Sequence, residues 1–346
     1  MRKAIIILVL VLSLTLPASA AEIEAPLVPK SGIERMPENT DSFGDALLEL
    51  LQNSMNLFRP DLKEAAEATM MTVAAGTLFS IIQNITKKIS RTLSAAGAIT
   101  IAVIMFRHTN SMIVLASDTV IEIYEYGKLL CQVMTAALAA QGCVTESSAL
   151  YVGTTFFITL LSTLVSKLVI PMAYIFLAFS VGYCAMNNEI LKKIAEAIKG
   201  VLGWSLKTLL VVFTAYMSIT GVVSGTTDAA SLKAAKVVIS TVVPVVGGAL
   251  ADSSESVLIS MGLVKNAAGI YGILAVLAVF AGPFLKIGAH YLFLKASATI
   301  CASFGDKSVS GLTGDFSSAM GLLMAMIASG CVMVLISTVC FLKGAC

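Results

Sequence analysis

Residues able to do chemistry are few in this chain and gather in two places. Arg107 and His108 stand side by side inside the apolar run 94–117. Asp228, Lys233, Lys236, Asp252, Glu255, Lys265 and Asn266 crowd between Gly221 and Gly272, with far more charge than the flanking sequence. Neither group has the spacing of a catalytic motif: HExxH, GxSxG, a P-loop and a GxGxxG opening a helix are all missing from the sequence. Asp252-Ser253-Ser254 has no histidine near it, and an intramembrane aspartyl site would have to use Asp228 with Asp252. Two histidines are too few for a histidine-based metal centre. The seven cysteines lack CxxC spacing and lie mostly in apolar runs, where a thiol behaves as a small hydrophobe. A Cys131–Cys143 disulfide stays open. The expectation is a protein that is no enzyme and has neither metal nor cofactor.

Composition says what must hold these residues. Of 346 residues, 57% are hydrophobic and 13% charged, and the mean hydropathy is +0.91. Soluble domains carry about 25% charged residues. So little charge does not cover a water-soluble surface, but a lipid-facing surface needs none. A net charge of +2 without a basic, aromatic-laced run argues against nucleic acid as a partner. The fold class expected is all-α, a polytopic helical membrane protein.

Residues 1–20 read as a signal peptide: Arg2 and Lys3, then the apolar stretch Ala4 to Leu16, then Ala18-Ser19-Ala20. An uncleaved anchor is the alternative. Residues 21–67 follow as an extracytoplasmic part. Pro26, Pro29 and Pro37 mark a linker. Ser42 and Asp45 then cap an amphipathic helix carrying Phe43, Leu47, Leu50, Leu51, Ser54 and Phe58. Pro60 should stop it. Its apolar face is expected to pack on the chain's own bundle.

Residues 68–346 form the polytopic domain. A span needs about 20 apolar residues. Candidates are 68–86, 94–117, 128–145, 149–167, 169–186, 202–225, 267–285, 287–303 and 317–342. Several adjoin, which leaves about seven to nine spans. Lys87, Lys88 and Arg91, and later Lys192, Lys193, Lys199 and Lys207, fall on the cytoplasmic side, with Asp118, Glu122 and Glu125 outside. Residues 189–200 read as an interfacial amphipathic helix, or as a docking surface for a cytoplasmic partner.

A central arginine costs about 2.5–3.5 kcal/mol on an insertion scale, and the Leu, Ile, Phe and Val residues between Leu93 and Leu115 return roughly 3–5 kcal/mol. Arg107 should therefore face the bundle interior or a wet cavity, or the segment should break there into two shorter pieces with the arginine snorkelling near an interface. Val237 to Leu250 is apolar but short, and Pro244 and Gly247-Gly248 interrupt it. Two readings of 228–266 stay open: a re-entrant helix pair bent at Val243-Pro244 that lines a passage or interface, and an amphipathic surface hairpin. Lys286 and Lys295 read as interfacial, with snorkelling stems. The sixteen methionines form no clustered motif and read as gap fillers.

The runs 219–258 and 262–272 carry a resemblance. Gly221, Asp228, Ala235-Lys236, Pro244-Val245-Val246-Gly247, Asp252 and Lys265-Asn266-Ala267-Ala268-Gly269 are similar, position by position, to the pattern of the stage III sporulation protein AE family of endospore-forming bacteria. Thr220 departs from the glutamine frequent there. The resemblance implies a multi-pass protein of the mother-cell membrane around the forespore, in a secretion-like channel complex that sustains late forespore gene expression. It also implies partners: other stage III sporulation membrane proteins, ring-forming subunits and a secretion-type ATPase. The candidate passage or interface residues are Gly221, Asp228, Lys236, Pro244, Gly247, Asp252, Lys265, Asn266 and Gly269, with Arg107 added from the insertion argument. A self-contained small-solute transporter, expected to show inverted repeats, and a non-conducting scaffold of the same complex are the rival readings.

Overall fold

The computed structural model describes residues 26–37, 42–85, 90–242, 247–303 and 307–344, with side chains placed outside 79–94, 221–262, 264 and 304–308. The expected signal peptide lies outside the described residues. Those described are helical, without a strand. In chain order the helices are α1 (Lys30–Ile33), α2 (Phe43–Ile85), α3 (Ser90–Ala140), α4 (Val144–Leu164), α5 (Ile170–Met186), α6 (Glu189–Val242), α7 (Gly247–Ser303) and α8 (Lys307–Lys343).

Five stretches are long and apolar enough to cross a membrane: 95–140, 144–186, 189–220, 265–303 and 309–343. Adjoining candidate spans have merged. The candidate 94–117 and all but the last five residues of 128–145 fall on the single helix α3, and the pair 267–285 and 287–303 on α7. The pair 149–167 and 169–186 is one rod as well, because a π turn at Val165–Val169 joins α4 to α5. Pro171 lacks the N–H that an α-helix needs at that point, and the wider turn lets the helix absorb the loss. Two spans on one uninterrupted helix cross once, so the described residues support fewer crossings than seven to nine.

Pro60 does not stop α2 either; the helix runs through it to Ile85. Packing wins over local preference, since Ala46 and Leu50 bury against Leu274 and Ala278 of α7 before the proline. Beyond it, Lys286 of α7 holds Asp61 and Glu64. The face packed on the bundle includes Leu50 and Ser54 but turns Phe43 and Leu51 outward.

Turn chemistry explains the ends. Gly142 adopts φ 95 between α3 and α4, a left-handed conformation that glycine takes without strain. Asn187 ends α5 in the left-handed region, and Asn188 Oδ1 accepts from the Ile190 backbone N–H at 2.9 Å to open α6.

Side-chain contacts fix the relative register. Tyr124 packs on Gly330, Val334 on Gly127, and Cys131 Sγ lies 3.7 Å from Ser337 Oγ, so α3 and α8 run parallel. Met324 on Gly288 and Leu342 on Gly269 make α7 antiparallel to both. Lys192 and Lys199 thus lie at one end of the bundle with Ser310 and Asp315. Lys265 and Gly344 lie at the other. Cys131 is a free thiol and Cys143 is disulfide-bonded, so the Cys131–Cys143 pairing does not form.

Candidate functional site: a polar track at mid-depth

α8 is uncharged from Phe316 to Leu342, about 40 Å of helix, enough to cover a hydrocarbon core of roughly 30 Å. The register with α3 places Glu122 level with the middle of that run. Asp118 and Glu125, one turn to either side, are exposed and Glu122 is half-buried. These three acids were expected in an outer connection. Because α3 does not break, they stand at the depth where a lipid-facing charge is most costly.

The surroundings show how the charge is accommodated. A strap, residues 26–37, lies against α3 and α7 at this level. Ser31 Oγ donates to Glu122 Oε2 at 2.6 Å, Gly32 packs on Val279, and the Arg35 guanidinium lies over Gly282. Apart from the single turn of α1, the strap is irregular backbone. Irregular backbone persists at membrane depth only where protein or water covers it.

One turn further along α7, Lys286 Nζ lies 2.9 Å from Asp61 and 3.0 Å from Glu64. The lysine side chain is 23% exposed and the carboxylates 26% and 45%. The hydrogen bond from Lys286 holds the Glu64 carboxyl below its ordinary value of 4.5, against a smaller opposing effect of burial. Another turn on, His290 is buried, and its ring faces that of His108 on α3 with centroids 6.2 Å apart. Both histidines of the chain therefore meet, although 182 positions separate them. Thr72, Thr109 and Met320 help line a space of about 10 Å³ beside them, and His290 Nε2 has no hydrogen-bond partner among the described residues. That volume is close to the lower limit for one water molecule.

Glu122, Ser31, Arg35, Lys286 with Asp61 and Glu64, and the two histidines form a continuous polar track along the seam of α2, α3 and α7. Elsewhere on the bundle most exposed side chains are apolar, among them Val152, Phe156 and Leu160 of α4 and Val211, Val212 and Ile219 of α6, with Lys167 exposed in the π turn. The track combines acids, bases and hydroxyls, with the Ser31 hydroxyl donating to Glu122. Such groups can bind ions or water. Among the described residues no group of three or more His, Cys, Asp or Glu side chains is placed to hold a metal.

Sequence reasoning missed most of this track. Lys286 is an internal ion-pair partner, whereas snorkelling at an interface was expected. The available signal was the spacing of Lys286 and His290, four residues apart in the run 266–294, which has no other charged residue.

The residues singled out from sequence distribute differently. Arg107 was expected in the bundle interior or a wet cavity, or at a break with its side chain snorkelling near an interface; it is exposed on an unbroken α3. The register explains this, for Arg107 is level with the start of α8's uncharged run, where its stem reaches an interface. Lys265 is buried and donates to the Gly344 carbonyl at 2.7 Å. Gly269 seats Leu342 so closely that an added Cβ would lie 2.5 Å from Leu342 Cδ2. Asn266 between them is exposed. Gly221, Asp228 and Lys236 fall on α6, and Gly247 and Asp252 on α7, with side chains outside the described residues. Pro244 lies outside them altogether, in the link between the two helices.

A profile of the family described as stage III sporulation protein AE matches residues 34–344. The stage III sporulation protein AE of Bacillus subtilis (strain 168) is 22% identical over 180 residues, covering 52% of this chain and 45% of that relative. The match thus spans less than half of the relative's length. No solved structure matches the chain. The polar track, the Lys265–Gly269 packing and the long apolar helices are therefore features of a chain that belongs to the stage III sporulation protein AE family.

Proposed function

We propose that this protein is a non-enzymatic membrane component of a secretion-like channel complex between mother cell and forespore, with the α2–α3–α7 face turned towards the passage or a neighbouring subunit. The single observation that supports this most is charge at mid-depth. Asp118, Glu122 and Glu125 stand level with the middle of α8's uncharged run, and two of these three carboxylates are exposed there. Charges in membrane segments face bundle interiors or water-filled cavities and mark transport pathways. In this proposal the polar face closes on itself only in the assembled complex, against stage III membrane proteins, ring-forming subunits and a secretion-type ATPase at the Lys192 end. The Lys192 end is cytoplasmic by the positive-inside rule. The test replaces Asp118 and Glu122 together by leucine in the native sporulating host and follows a late forespore reporter. Loss of reporter with normal membrane levels of the protein supports the proposal; normal reporter and spore yield refute it.

A further inference from the structure

A second polar feature lies far from the track, at the Lys192 end. There α5, α6, α7 and α8 enclose an open cavity of about 430 Å³, within the range of small-molecule pockets. Its wall has two cations, Lys192 and Lys199, and two carboxylates, Glu196 and Asp315. No ion pair joins any of the four among the described residues. Lys192 instead lies over the ring of Tyr183, 5.6 Å from its centroid, and Lys199 Nζ donates to Ser318 Oγ at 2.9 Å. Two charges of each sign therefore face one another across unfilled space, in a bundle with very little charge to spend.

The depth of this cavity identifies what would fill it. Asp315 is the last charge of α8 before its uncharged run, so the cavity sits where the hydrocarbon ends and headgroups begin. Trp204, the single tryptophan, is exposed a little over a turn beyond Lys199 on α6, the placement of an interfacial aromatic. We propose that this pocket binds the zwitterionic headgroup of phosphatidylethanolamine. The phosphate lies on Lys192 and Lys199, as basic pockets between membrane helices hold lipid phosphates. The primary ammonium lies on Glu196 and Asp315. An ammonium offers three N–H donors to those carboxylates, and a choline group offers none. A purely anionic lipid would leave the two carboxylates unanswered, which is the reason for preferring a zwitterion.

The test is native mass spectrometry on the full chain in detergent, titrated with phosphatidylethanolamine, phosphatidylcholine, phosphatidylglycerol or free phosphoethanolamine. Phosphatidylethanolamine should bind at least about tenfold more tightly than phosphatidylcholine. Glu196→Gln with Asp315→Asn should erase that preference, and Lys192→Ala with Lys199→Ala should weaken both lipids. Equal affinity of the wild-type chain for phosphatidylethanolamine and phosphatidylcholine would overturn the proposal, whatever the variants do. Free phosphoethanolamine binding as tightly as the lipid would overturn the assignment to a membrane lipid.

Discussion

The ammonium of Lys265, buried near the start of the long apolar part of α7, donates to the carbonyl of Gly344 at the end of α8. The last carbonyls of a helix lack intrahelical partners and carry the negative end of its dipole, so a cation there answers both needs. Glu146, buried at the start of α4, lies beside the same Gly344. Lys265 thereby ties α7 to the end of α8. Lys265→Met should destabilise the protein by roughly 1.5–3 kcal/mol, the range for hydrogen bonds to charged groups. Thermal unfolding in detergent should fall accordingly, and protease sensitivity should appear first at the C-terminus. An unchanged midpoint would show that the contact contributes nothing.

Gly269 contributes to the same corner by being small. A side chain there meets Leu342 at a distance no real contact shows. Gly269→Val should cost about 1–3 kcal/mol by overpacking. Leu342→Ala in the same chain should return part of the loss, and a double-mutant cycle measures the coupling. Additive losses would mean that the two positions do not share the strain.

Lys286 predicts a pH dependence. Glu64 has its folded value lowered by Lys286, so its contribution is full above its ordinary value of 4.5 and is lost as pH falls through the lower folded value. The thermal midpoint should lose this contribution as pH falls below 4.5. In Lys286→Met the acid-side slope contributed by Glu64 should flatten while the midpoint at pH 7 falls. Partial exposure keeps both effects modest. Parallel curves for the two proteins would remove Lys286 as the cause.

Topology supplies a further prediction. Lys192 and Asp228 lie on the single helix α6, about 54 Å apart along its axis. That length exceeds the full bilayer thickness of about 40–45 Å. In intact cells, Lys192→Cys and Asp228→Cys should react with an impermeant thiol reagent from opposite sides. Labelling of both from one side would break the orientation.

Much of the architecture was legible beforehand because hydropathy and span length are local properties. Helix content, membrane class and the basic end at Lys192–Lys199 follow from them. Span count was not legible. Nothing local tells a solvent-exposed turn from a charged patch on a continuous helix, so Asp118, Glu122 and Glu125 passed for a loop. The proline at position 60 misled for the same reason, since the packing that carries α2 past it comes from α7, more than two hundred residues away. His108 and His290 show the limit most clearly: His108 stood out in its own segment, but only the packing of α3 on α7 sets it against His290. For Arg107 the interface reading expected a break that does not occur, since the register of α3 on α8 places it near an edge of an unbroken helix.

The face bearing Asp118 and Glu125 must be kept out of lipid despite its depth. Spin labels at positions 118 and 125, with 152 and 156 on α4 as references, can be compared in liposomes for collisions with molecular oxygen, which concentrates in lipid, and with a water-soluble nickel chelate. The prediction is chelate-dominated or doubly protected labels at 118 and 125, and oxygen-dominated labels at 152 and 156. Oxygen-dominated collisions at all four positions would contradict it, because the acids would then stand in hydrocarbon with no passage and no partner beside them.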